Sequence, residues 1–231
     1  MADTLLRSVR DGGRLTLTLS RPEIRNALND ELIDALGAAF AEAREDADVR
    51  VIVLAGEGKA FCAGADLNWM RRVVSGTLEE NKADAKRLVK LLDAIVDAPQ
   101  PVIARVHGPA LGGGMGLVAA CDLVVAHPKA KLGLTEVRLG LAPAMIYPYL
   151  LRRVQRHELL AAGLLGSLFD GHRGKALGLV NEVSEDVDAV VDGWCETLQQ
   201  CGPKALAAMK ALFAEVPRQS REEALDFTVD M

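Results

Sequence analysis

Aromatic side chains make up only 4% of this 231-residue sequence, while hydrophobic residues of all kinds make up 50%. A core must therefore be packed from Ala, Val and Leu, with 21 glycines available for turns and close approaches, as suits an α/β protein rather than a fibrous or disordered one. Positive charge is also short. The formal net charge of −5 argues against a general nucleic-acid binder. No apolar run approaches a membrane span, and the opening MADTLLRSVRDGG lacks the apolar centre of a signal peptide, so a cytoplasmic protein with no membrane attachment is expected. The length suits one large domain, or a core with a small appendage.

Several chemistries lose their usual support. Cys62, Cys121, Cys195 and Cys201 show no C-x-x-C spacing, so neither a zinc site nor a disulfide scaffold is indicated. HELLA at His157 lacks the second histidine of a zinc protease motif, and no G-x-S-x-G elbow occurs. Three consecutive glycines, Gly112 to Gly114, open an apparent helix, an arrangement commonly used to hold phosphate. A P-loop would need Lys and then Ser or Thr, and a dinucleotide fingerprint starting at Gly112 would need glycine where Leu117 stands. The backbone N–H groups there serve some other acceptor.

What is present reads as alternating strands and helices. RLTLTLS (Arg14 to Ser20) has the period of a half-exposed strand, and Asn29 or Asp30 caps a helix to about Ala47 with Leu32, Leu36, Ala39 and Phe40 on one face. VRVIVLAG (Val49 to Gly56) is a buried parallel strand. A loop, EGKAFCAGAD, leads to a short helix at LNWMRRVV and a longer one from about Leu78 to Asp97, stopped by Pro99 and Pro101. Lys82, Lys86 and Lys90 repeat on that helix as a solvated face. VIARVHG is the next buried strand, followed by the glycine-led helix, the strand CDLVVAHP and the short strand AKLGLT. From Ala144 the chain is mainly helical, interrupted by LVNEVSE, and REEALDFTVDM ends it without a cap or closing turn.

Three blocks, GKAFCAGADL, PVIARVHGPALGGGMGL with CDLVVA, and AKLGLTEVRLGLAP, resemble the crotonase (enoyl-CoA hydratase/isomerase) superfamily in order and spacing, from about Arg14 to Phe213. AGADLNWM, GMGL and EVRLGLAPA are most similar to its methylglutaconyl-CoA and isohexenylglutaconyl-CoA hydratase-like members. The resemblance implies an α/β spiral of strand-strand-helix repeats over residues 1–185. A helical C-terminal region over 186–231 would mediate trimer contacts, and it is shorter than the family's usual one, so the cover over the CoA site is expected to be incomplete. It also implies a homotrimer or hexamer, an acyl-CoA thioester as substrate, and no separate cofactor, since coenzyme A belongs to the substrate.

The same resemblance implies an oxyanion hole formed by the backbone N–H groups of Ala65 and Gly113, with the glycines letting the thioester approach. Glu136, at the end of an apolar strand, would be the acid/base, its pKa raised by desolvation. Hydratases of the family carry a second glutamate where this sequence has Gly116, and glycine there is expected to leave room for a bulkier or branched acyl group. Arg25, Ala27, Ala63, Asp66, Leu67 and Asn68 fall at CoA-binding positions. Trp69 and Met70 either wall the acyl pocket or pack the core, and Tyr147 is placed to touch an acyl tail or a water. Hydration of an α,β-unsaturated acyl-CoA is the favoured reaction. Double-bond migration from the 3 to the 2 position suits a lone glutamate. A non-catalytic acyl-CoA or RNA-binding relative is the third alternative, although the helix at 30–47 has no lysine comb.

Overall fold

The computed structural model describes residues 5–231. Strand β1 (Leu6–Asp11) turns through Gly12, at φ +54°, into β2 (Arg14–Leu19), and the two pair antiparallel along their whole length. The sequence pattern does not predict β1, whose residues are almost all exposed and lack alternation. Its presence moves β2 into the sheet interior, so Leu17, Thr18 and Leu19 are all buried where a half-exposed strand is expected. Asn29 caps α1 (Asp30–Glu45) by accepting a hydrogen bond from the Leu32 N–H at 3.1 Å. Leu32, Leu36 and Phe40 are buried as its periodicity requires.

Strand β3 (Val51–Gly56) is buried at every residue because it has a packed layer on each face. Ile52 and Leu54 point into the main core, and Val51 and Val53 into a second, smaller cluster. Helix α2 (Leu67–Ser75) follows, capped by Asp66, then α3 (Leu78–Val96), opened by a reciprocal Thr77–Glu80 capping box. Lys82, Lys86 and Lys90 lie on the side of α3 away from its buried Leu88, Leu91, Leu92 and Ile95. Next come β4 (Val102–Val106), β5 (Ala110–Leu111), α4 (Gly113–Ala120), β6 (Leu123–Ala126) and β7 (Leu132–Gly133). A 3-10 helix, Glu136–Leu139, leads to α5 (Tyr147–Leu150), α6 (Arg156–Leu165), α7 (Gly171–Ala176), β8 (Glu182–Val183), α8 (Val187–Gln200), α9 (Pro203–Glu215) and α10 (Arg221–Val229).

The large sheet has the order β1-β2-β3-β4-β6-β8, parallel except for β1, and β5 and β7 form a separate parallel pair. Helices α1, α3 and α4 fill the main-core side. On the other face, Val187, Val191 and Cys195 of α8 meet Val51, Val53, Ile103 and Val125. The sequence division at 185/186 groups α8 with the helical tail, yet these contacts make it the sheet's outer layer. Helices α9 and α10 bury no residue. Lys210 ties α9 to the body, donating to the Gln100 carbonyl at 3.0 Å and to Asp122 Oδ2 at 2.7 Å. Ser220 and Glu223 form a capping box that starts α10, in keeping with a mainly helical C-terminal part.

No helix among the described residues is long and apolar enough to cross a membrane. Nor do they include a group of three or more His, Cys, Asp or Glu placed to hold a metal ion.

Candidate active site

Two loops meet at the mouth of α4. The Cys62 N–H donates to the Pro109 carbonyl at 3.1 Å and the Leu111 N–H to the Cys62 carbonyl at 3.0 Å, joining the segment after β3 to the segment before α4. Gly64, at φ +98°, lies so close that a Cβ on it would stand 3.0 Å from the Leu111 carbonyl oxygen and 3.8 Å from Gly112 Cα. On its other side this loop pairs with Leu28, whose N–H donates to the Gly64 carbonyl at 2.7 Å and whose carbonyl accepts from Asp66 at 2.8 Å. In such a parallel bridge the intervening Ala65 N–H turns away from Leu28.

Neither Ala65 nor Gly113 donates its N–H to any acceptor among the described residues. Gly113 is the first residue of α4, where the helix dipole adds partial positive charge. A Cβ on Gly113 would stand 4.0 Å from the Gly64 backbone carbonyl carbon, so the two N–H groups that the resemblance points to lie on neighbouring segments.

Atoms of the protein itself also crowd the glycine run. A Cβ on Gly114 would overlap the Cys62 carbonyl oxygen. At Gly112, with φ +49°, it would meet Glu136 Oε1 at 3.1 Å, and at Gly113 Leu28 Cδ1 at 3.0 Å. The close approach at Gly112 and Gly114 is therefore by the protein's own carboxylate and backbone. The nearby Cys62 thiol is fully buried and pushed up to about 12 by desolvation, which removes it as a nucleophile.

Glu136 is not at a strand end. Strand β7 stops at Gly133, and Glu136 opens the 3-10 helix that Gly140 closes at φ +73°. The turn folds the carboxylate back over Gly112. The Glu136 Oε2 atom is fully buried and has no hydrogen-bond partner among the described residues. Desolvation raises the pKa, opposed in smaller part by a backbone N–H of its own residue. A half-buried carboxylate whose Oε2 is unpartnered, near two unpaired N–H donors, is equipped to move a proton next to a developing oxyanion.

The shift has a stability consequence. With its pKa raised above the unfolded value, Glu136 stabilises the fold when protonated, and that contribution is lost as pH rises through the folded pKa. Glu136→Gln should therefore melt higher than the wild type at pH 8, with the gap closing as pH falls toward the ordinary carboxylate range. Thermal melts across that window check it; a gap that widened in acid would contradict the burial argument.

Gly116 requires a correction. The space beside it is not open: a Cβ there would overlap Ile146 Cγ2 and stand 3.1 Å from Ile146 Cβ and 3.4 Å from Leu92 Cδ1. Ile146 is 2% exposed, so the notch in α4 is filled by a side chain rather than kept free for an acyl branch. A glutamate at 116 would have to displace that side chain.

The CoA-position residues gather on the loops around Ala65. Arg25 is exposed, stands in the left-handed region at φ 57°, and accepts the Ala63 N–H on its carbonyl at 2.9 Å. Ala27 is buried, Ala63 half-buried and Asn68 part of the first turn of α2; Leu67 opens that helix, and its side chain lies outside the described residues. Asp66 is engaged within the protein, capping the Asn68 N–H at 2.8 Å and pairing with Arg21 at 3.1 Å, both side chains 12% exposed. Arg21 also donates to the Ala27 carbonyl at 2.6 Å, so it clamps the two segments flanking Ala65.

Sequence reasoning missed Arg21, although RPEIRN offers two arginines and only the first follows a strand directly. It also missed Asn26, fully buried at φ 57°, whose side chain donates to the Glu57 and Ala60 carbonyls and accepts from the Arg21 N–H. Trp69 packs in the main core and donates to Asp84 at 3.2 Å, the core alternative of its two readings. Tyr147 packs half-buried against the core and makes no side-chain hydrogen bond among the described residues.

Comparison with known proteins shows the family and the fold. The model of the family described as enoyl-CoA hydratase/isomerase matches residues 10–231. A solved enoyl-CoA hydratase from Mycobacterium smegmatis is 37% identical, with a TM-score of 0.92 over 96% of this chain and 87% of its own. One from Shewanella pealeana is 30% identical, with a TM-score of 0.96 over 99% of this chain and 87% of its own. Pseudomonas aeruginosa AtuE is 33% identical, with a TM-score of 0.95 over 98% of this chain and 89% of its own.

Proposed function

Because the chain belongs to the enoyl-CoA hydratase/isomerase family, we propose that it adds water reversibly across the double bond of an α,β-unsaturated acyl-CoA, with Glu136 as its one carboxylate acid/base. The observation that carries this reading is the buried, unpartnered Glu136 Oε2 beside Gly112, next to the unpaired Ala65 and Gly113 N–H groups. The thioester oxygen is held by those two donors. Glu136 takes a proton from water as the water oxygen bonds to C3, and the electron pair of the double bond moves through C2 into the thioester oxygen. Glu136 then gives the same proton to C2, so one water supplies both the hydroxyl and the hydrogen. Coenzyme A arrives with the substrate, and no separate cofactor enters.

Isomerisation is the second reading. The observation favouring it is Ile146, whose methyl occupies the space into which a side chain at 116 would project, leaving hydrocarbon there rather than a second acid. A lone Glu136 can carry a proton from C2 to C4. The branched glutaconyl class rests on AGADLNWM and EVRLGLAPA alone, since the filled notch at Gly116 no longer supports it. Incubation with 2-enoyl, 3-enoyl and 3-methylglutaconyl thioesters separates these readings. Hydration of 2-enoyl substrates supports the first, and conversion of 3-enoyl to 2-enoyl thioester with no hydration replaces it with the second.

Assembly as a homotrimer or hexamer in the cytoplasm belongs to the same proposal. Leu139, Leu160, Leu164 and Leu165 are 53–71% exposed on the 3-10 helix and α6, an apolar surface that a subunit contact would cover. Light scattering at micromolar concentration should give three or six times the 24.7 kDa chain mass. A monodisperse monomer would contradict it.

A further inference from the structure

We propose that Ile146 sets the depth of the acyl pocket and restricts the enzyme to short acyl chains, an inference that rests on the acyl-CoA reading above. Helix α4 serves as the ruler. Gly112 caps α4 and Gly116 lies one turn into it, its N–H donating to the Gly112 carbonyl at 3.3 Å, so the two are about one 5.4 Å turn apart. Glu136 lies over the first and Ile146 over the second. With the thioester oxygen at the Gly113 N–H, and Glu136 acting at C2 and C3, the acyl carbons from C4 onward run from Glu136 toward Gly116. There they meet Ile146.

Ile146 makes a firm wall. Its Cβ sits 3.1 Å from where a Cβ of residue 116 would stand, with Leu92 Cδ1 behind at 3.4 Å from the same point, so the notch is closed by packed hydrocarbon. β-Branching restricts its rotamer. Its backbone is held in a tight turn, with the Tyr147 N–H donating to the Pro143 carbonyl at 3.1 Å and the Leu150 N–H to the Ile146 carbonyl at 3.2 Å. Gly116 and Ile146 thus form a matched pair: the missing side chain on α4 admits the isoleucine, and the isoleucine ends the pocket.

The test uses Ile146→Ala and the milder Ile146→Val, each first shown to unfold cooperatively. Binding of saturated four-carbon and eight-carbon acyl-CoA is measured by calorimetry, which reads the pocket without turnover, beside kcat/KM for the 2-enoyl thioesters of the same lengths. The wild type should prefer four carbons. Ile146→Ala should raise the eight-to-four ratio about tenfold or more in both measurements, with Ile146→Val between them, as expected when a few methylenes gain room in an apolar pocket. A shifted binding ratio without turnover keeps Ile146 as the wall and overturns the reaction assignment instead. An unchanged ratio in two folded variants that still turn over the four-carbon substrate overturns the role of Ile146 and leaves the reaction standing.

Discussion

Glu136→Gln should lose turnover by about 10²- to 10⁴-fold, the usual worth of a positioned acid/base, while retaining affinity for CoA thioesters. The amide has the same shape, so it can occupy the seat over Gly112, where a Cβ would already be 3.1 Å from Oε1. It cannot accept a proton from water or deliver one to carbon. Affinity persists because the Ala65 and Gly113 donors belong to other segments, held by the Leu28 pairing and the Cys62–Leu111 hydrogen bond. In the wild type the raised pKa moves the acid limb of the rate profile above the ordinary carboxylate range, with activity increasing as pH rises through it. Steady-state rates and calorimetric titration check both parts. Wild-type turnover in the amide variant would remove Glu136 from the chemistry.

Gly113→Pro should cost about 10²- to 10³-fold in kcat, with little loss of fold. Proline removes the N–H that is assigned to the thioester oxygen, and one such donor is worth roughly 3 kcal/mol in activation free energy. The substitution suits this position because Gly113 is the first residue of α4, where helices accept proline and the N–H has no intrahelical partner. The nearest obstacle is the flexible end of Leu28, with Cδ1 3.0 Å from the Cβ position. Circular dichroism should remain that of the wild type while kcat falls. A folded Gly113→Pro enzyme with unchanged kcat would show that the oxygen sits elsewhere.

The parallel strands were legible because a short, continuous apolar run such as VIVLAG, ended by glycine, suits a strand covered on both faces. Helix α1 was legible because Asn29 and the Leu32, Leu36, Phe40 face mark it. Strand β1 was not, being an exposed edge without alternation. The motif blocks name the candidate donors and the candidate base, but not which protein atoms crowd the glycines. Which atom fills the space beside a glycine depends on elements distant in the chain: Cys62 for Gly114, Glu136 for Gly112, Ile146 for Gly116. Arg21 escaped for the same reason, since its role comes from Ala27 and Asp66, with Asp66 45 residues away. The site's chemistry is carried locally, while its shape is set by long-range packing.

In the reaction proposed above, the Ala65 and Gly113 N–H groups and the Glu136 carboxylate act on one thioester. Exchange of the C2 hydrogens of butyryl-CoA into deuterated water tests this most directly, because it needs the base and the oxyanion donors but neither water addition nor double-bond migration. The wild type should catalyse the exchange, Glu136→Gln should lose it while still binding the thioester, and Gly113→Pro should lose it in a folded protein. Exchange at the wild-type rate in either folded variant would contradict the claim.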